Sequence, residues 1–271
     1  LKKEQKKQIT LINGKEHVGV AKARNGLLWC AKKYISDDDY IFLLDSDDEY
    51  TDNKVISRVV NSMTRNKADV AVLNFKYGFF DGKTEDAGLK KTREETSAIS
   101  RKYSKPHSFE PSKDLSTLTS LGWTRVYKSK IFKELPIVEE TGKYEDFVYM
   151  APFCFDNIKV VGVTIPSIKF NKYSSSTTSM RTEKDCEDVV DRLNELKKSY
   201  RKMCAEMGKK LPIHKKIIFS KCLENFINTK LEQYRIIFKN YDDSHKTQLS
   251  KKFLEAINNK MTVKEKKQCQ M

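Results

Sequence analysis

Four carboxylates crowd into five positions of YIFLLDSDDEY, residues 40–50, where Asp45, Asp47, Asp48 and Glu49 follow directly on an apolar run. Like charges this close repel unless a cation lies between them. Hard oxygen ligands suit Mg²⁺ or Mn²⁺, which take one or two protein carboxylates and complete their shell with water and substrate phosphates. Asp45 and Asp47 are therefore the candidate metal ligands. YIFLL is too short for a helix between polar flanks and predicts a buried strand. An extended backbone at its carboxyl end would point Asp45 and Asp47 to one side. An EF-hand loop also begins Asp-x-Asp, but its sixth position needs Gly and its twelfth Glu, and Tyr50 and Ile56 stand there. The remaining rival is a polar turn that serves the backbone of the following helix.

The elements that must position these acids alternate along the chain. Val20, Ala23, Leu27, Ala31 and Tyr34 recur at steps of three and four and predict an amphipathic helix, with Gly19 near its start. After the acidic strand, Thr51 can cap a second helix whose inner face is Val55, Val59 and Met63. ADVAVLNFKYGFF, residues 68–80, is β-branched and aromatic and predicts another strand. Helix, strand, helix, strand indicates an α/β sheet. Residues 81–118 are polar without a clear period and read as a long excursion or lid. IKVVGVTIPSIKFNKY, residues 158–173, reads as a pair of strands around Pro166. From about Glu183 the texture changes to long charged helices, broken at GKKLP.

Across the 271 residues, 52 Lys and Arg oppose 37 Asp and Glu, a net charge of +15. Such a balance either solvates a Lys-rich surface or attracts anionic partners: phosphates, nucleic acid or an acidic membrane surface. The six cysteines are scattered with no CxxC pair, which speaks against a zinc cluster and for reduced thiols in a cytoplasmic protein. No apolar run approaches the roughly 20 residues of a bilayer span. The four histidines stand apart from the Asp cluster and receive no role.

GVAKARNGLLWCA followed by a strand and LLDSDD resembles the central segment of glycosyltransferase family two, the inverting enzymes of GT-A fold. Further on, GWTRVYKSKIF is similar to that family's Trp-x-(Lys/Arg)-x-Tyr segment, KYEDFVYM to its Glu-Asp motif, and KYSSSTTSMR to its Ser/Thr-rich loop. The resemblance implies a Rossmann-like α/β domain with a mixed sheet over residues 1–182 and a helical C-terminal region over 183–271. It implies Asp47 as ligand of an Mn²⁺ or Mg²⁺ ion that bridges the donor's diphosphate, and Asp45 as contact to the ribose or the metal. Gly19, Arg24 and Asn25 would support the nucleotide side of the pocket; an ion pair from Arg24 to the Asp cluster is the alternative, and the two readings are compatible. Asp146 would be the catalytic base, with Glu145 beside it holding the acceptor or orienting the helix. Trp123 would stack on a sugar or sit in the core, and Arg181 with the hydroxyls of residues 174–179 would meet the diphosphate.

Family members begin with further nucleotide-binding strands. Nothing before Leu11 provides them; LKKEQKKQITLING holds one short strand candidate, ITLI, and the chain opens on Leu1, so the expectation is of a segment cut from a longer protein or of a nucleotide site completed from elsewhere. The expected activity is that of a metal-dependent inverting hexosyltransferase moving a sugar from a nucleotide-sugar donor, UDP-linked by family expectation, to a glycan in cell-surface or capsular polysaccharide synthesis. The basic C-terminal helices would meet an anionic acceptor, the inner membrane face or a partner subunit. A transferase acting on nucleic acid and a non-catalytic binding protein on a decayed transferase fold are the alternatives.

Overall fold

The computed structural model describes residues 9–16, 18–82, 84–85, 87–110, 114, 121–133, 153 and 157–173. In chain order the elements are α1 (Val20–Ala31), β1 (Tyr40–Phe42), β2 (Glu49–Tyr50), α2 (Val55–Asn66), β3 (Val70–Phe79), α3 (Ala87–Lys102), β4 (His107–Ser108), a 3₁₀ turn (Gly122–Thr124), β5 (Arg125–Lys128), α4 (Ser129–Lys133) and β6 (Lys159–Lys172).

The strands form one mixed sheet in the order β1-β5-β3-β6-β2, with β4 also on β6. β3 and β6 run parallel at its centre, and the other pairings are antiparallel. The first six residues of β3, VAVLNF, are all buried. Such a continuous buried run, apolar but for Asn74, is what a strand with neighbours on both edges and cover on both faces requires. α2 lies on this sheet through Val55, Val59 and Met63, one side of a helix and all fully buried, as its period predicts. Its start differs from expectation. Thr51 caps nothing: its hydroxyl donates to Pro166 O at 2.7 Å, and Asp52 instead accepts the Lys54 N–H at 2.7 Å.

Residues 158–173 form one long strand rather than two, because the irregularity at Pro166 is absorbed as a bulge. Leu73 faces Val163, but Asn74 faces Pro166 and Phe75 faces Ile168. Pro has no N–H to give the ladder, and the Asn74 side chain mends the gap, donating to Thr164 O at 2.9 Å and accepting the Phe75 N–H at 2.9 Å.

The polar stretch 81–118 is likewise not a lid throughout: α3 occupies its middle and packs on β3 and β6. Its inward residues are Thr96, Ile99 and Ser100, too polar to leave a readable stripe. Its C-terminal end closes on Gly162, whose N–H donates to Tyr103 O at 2.5 Å. Just beyond, Asp114 gathers Lys102 at 2.7 Å and His107 at 2.9 Å and locks α3 to β4. α1 forms where expected, but Leu28 turns inward while Val20, Ala23 and Leu27 are exposed, as is Tyr34 beyond its end. Ile9, Leu11 and Ile12 belong to no strand. The two helices expected in the C-terminal region and the segment 142–152 lie outside the described residues. Among the described residues, no helix is long and apolar enough to cross a membrane.

A Cβ on Gly162 would collide with Ser100 O and stand 2.8 Å from Ser100 C, both backbone atoms that cannot step aside. Gly162→Ala is therefore expected to lower unfolding stability by about 1–3 kcal/mol, measured by urea denaturation. An unchanged midpoint would contradict this packing.

Candidate functional site

The acids do not continue β1. That strand ends at Phe42, and Asp45 to Asp48 form a turn closed by the Asp48 N–H on Asp45 O at 3.1 Å. The alternation of an extended strand thus does not apply, and the three carboxylates go three ways. Asp45 accepts a hydrogen bond from Arg24 Nη2 at 2.6 Å, a contact between the middle of α1 and the turn. Asp47 is exposed, and no hydrogen bond or ion pair engages its carboxylate among the described residues. Asp48 turns inward and is 9% exposed; its Oδ1 accepts the Asn171 N–H at 2.9 Å, and its Oδ2 is buried without a hydrogen-bond partner.

Burial pushes the Asp48 carboxyl up to about 6. The Asn171 N–H pulls it back, the charges of Asp47 and Asp45 add to the rise, and buried Lys172 opposes them. On the other side of the turn, β2 pairs Glu49 with Lys169 and Tyr50 with Ile168, and Lys169 Nζ reaches Glu49 Oε1 at 2.6 Å.

Of the residues singled out from sequence, Arg24 and Asp45 come together, and Asp47 shares their turn. Gly19 precedes α1 at φ 79° and ψ 160°, a conformation essentially reserved for glycine, and its carbonyl accepts the first helical N–H, from Ala23, at 3.0 Å. Asn25 follows Arg24, half-buried. Trp123 belongs to the core: it is 4% exposed, with ring centroids 5.1 Å from Phe75 and 4.7 Å from Phe170, so its faces are not open to a sugar. The aromatic cluster of β3 and β6 claims it. Asp146, Glu145 and Arg181, with residues 174–179, lie outside the described residues. Asn171 and Asp48 were not singled out, since their roles depend on the register of β2 against β6, which sequence periodicity does not carry.

Among the described residues no group of three or more His, Cys, Asp or Glu side chains is arranged to hold an ion. One exposed, uncommitted carboxylate on a fixed turn nevertheless fits the habit of Mg²⁺ and Mn²⁺, whose remaining ligands are water and substrate phosphate.

A mixed sheet with flanking helices is the architecture of a GT-A glycosyltransferase. Residues 1–135 match the family model for glycosyl transferase family 2, and over that stretch the chain belongs to this family. Among solved structures it is similar to S. aureus TarS residues 1–349 in complex with UDP-GlcNAc, at 15% identity and TM-score 0.50, over 88% of this chain and 62% of that one. It is also similar to S. aureus TarS 1–349, at 14% identity and TM-score 0.47, over 89% of this chain and 61% of that one. The chain thus spans about three fifths of the length of these structures. No curated protein matches it.

Asp48 binds its proton more tightly in the folded chain than at the ordinary value of 3.8. Its contribution to stability is therefore full below that value and is lost as pH rises through about 6. Relative to Asp48→Asn, the wild type should lose about 1–2 kcal/mol of stability between about pH 4 and 7.5, less than the full linkage value because solvent reaches the turn. Paired urea melts across that range check it; a difference that does not change with pH would contradict the buried placement of Asp48.

Proposed function

We propose that the chain is the catalytic part of a metal-dependent inverting glycosyltransferase that moves a sugar from a nucleotide donor, a UDP-sugar, to a glycan acceptor. The observation that carries this reading is the turn at Asp45–Asp48: one acid is neutralised by Arg24, one is buried, and Asp47 alone is presented outward. The family and the UDP-GlcNAc held by the similar TarS structure support a nucleotide-sugar donor.

Asp47 would hold the cation, and Arg24 would keep Asp45 from competing for it or repelling the diphosphate. A bound Mn²⁺ or Mg²⁺ supplies positive charge against the negative charge that grows on the departing nucleoside diphosphate. Asp146 is assigned as the base. It takes the proton of the acceptor hydroxyl while that oxygen bonds to the anomeric carbon from the face opposite the leaving group, and the nucleoside diphosphate departs with the bonding electron pair. Glu145 would steady the acceptor, and Arg181 would meet the diphosphate. Polysaccharide assembly at the inner membrane face is the setting that fits a basic chain, with the C-terminal region, residues 183–271, as the part that meets the membrane or a partner subunit.

Calorimetry with UDP should give binding that requires Mn²⁺ and is lost in Asp47→Ala. Binding indifferent to both metal and Asp47 would refute metal dependence. With a competent acceptor, Asp146→Asn should keep donor binding and lower turnover by about 10²–10⁴-fold; undiminished turnover would remove Asp146 from its role.

A further inference from the structure

The acidic turn has little of its own to define it. Its internal tie is the single hydrogen bond from the Asp48 N–H to Asp45 O, and the strand that follows is two residues long. Three neighbouring carboxylates would splay such a turn by repulsion. What fixes it comes from β6, 123 residues further along the chain.

Asn171 holds the turn twice. Its backbone N–H donates to Asp48 Oδ1 at 2.9 Å, and its side-chain Nδ2 donates to Asp47 O at 2.7 Å. The peptide unit that follows Asp47 is thereby fixed at its carbonyl, and the next side chain is pinned inward, while the Asp47 carboxylate is left facing out. Only the amide NH₂ end can meet a carbonyl, so the partner dictates which way the Asn171 amide points.

The same side chain explains a glycine. Gly78 lies opposite Asn171 across the β3–β6 pair, inside a strand, where glycine is otherwise unfavourable. A Cβ there would collide with Asn171 Oδ1 and stand 2.6 Å from Lys169 Cε. The buried Asn171 amide, 7% exposed, fits because β3 offers no side chain at that position.

We propose that Asn171 is a positioning residue for the cation-binding turn, and that Gly78 is the residue that admits it. Neither touches the reacting atoms; they act through Asp47. The proposal rests on the functional reading above and adds to it a residue outside the Asp-x-Asp segment.

The test is Mn²⁺ titration of the full chain in the presence of UDP, read from the electron paramagnetic resonance signal of free Mn²⁺, for wild type, Asp47→Ala, Asn171→Ala, Gly78→Ala and the Asn171→Ala/Gly78→Ala double variant. Thermal melting accompanies each. Loss of a partner that orients a metal ligand typically weakens metal binding by about ten- to a hundredfold. Asn171→Ala and Gly78→Ala should each weaken Mn²⁺ binding by about tenfold, one by removing the donor and the other by displacing it. The double variant should be no weaker than Asn171→Ala alone, because both act on one contact.

Wild-type affinity in both single variants, with Asp47→Ala still inactive in binding, overturns the positioning role and leaves the functional reading intact. Additive losses in the double variant, or losses that track unfolding in both single variants, overturn it as well. Mn²⁺ binding that is absent in the wild type, or retained in Asp47→Ala, overturns the functional reading and the proposal with it.

Discussion

The outer edge of β6 is the constraint on which the rest of the structure depends. A strand edge presents N–H and C=O groups that must find partners, and β6 finds them in two stretches of chain, residues 48–51 and 103–109. β4 pairs along Lys159 and Val160 and the Phe109 N–H meets Ile158 O, the Tyr103 carbonyl takes the Gly162 N–H, Thr51 takes the carbonyls of Pro166 and Ser167, β2 pairs along Ile168 and Lys169, and Asp48 takes the Asn171 N–H. Because these pieces come from both sides of β3 in the sequence, satisfying one edge fixes α3, the start of α2 and the acidic turn together. The opposite edge, parallel to β3, ties them to the core.

This arrangement divides labour among residues of like charge. Arg24 removes one negative charge at the surface of the turn, and burial raises the proton affinity of Asp48, so the carboxylate density suggested by the sequence is not expressed as three equivalent ligands. What remains outward is Asp47, on a backbone held by Asn171. A cation there would meet one protein carboxylate and depend on a diphosphate for much of its shell, which couples metal binding to donor binding.

The parts of the fold legible in the sequence are those where one apolar face meets the sheet. α2 announces itself by Val55, Val59 and Met63 at the period of a helix, and β3 by a β-branched and aromatic run whose first six residues, Asn74 among them, are all buried. α3 was illegible because its contact with β6 is made through backbone on Gly162 and through Thr96 and Ser100. In α1 the period indicated a helix correctly but named the wrong face, since Arg24 and Leu28 turn toward the molecule while Val20 and Leu27 do not. The chemistry of the acidic stretch, including the pairing of Arg24 with the Asp cluster, could be read from residue types. Its geometry could not, because the turn is set by the register of β2 against a strand more than a hundred residues away.

The central claim is that the turn held by β6 is where a divalent cation meets the chain, and paramagnetic broadening of backbone amide signals by substoichiometric Mn²⁺ with UDP tests it most directly. The account predicts loss of the Asp45–Glu49 and Asn171 amides first, with those at the far end of α2, Arg65 to Lys67, unaffected. Broadening centred elsewhere, or spread evenly over the sheet, would contradict it.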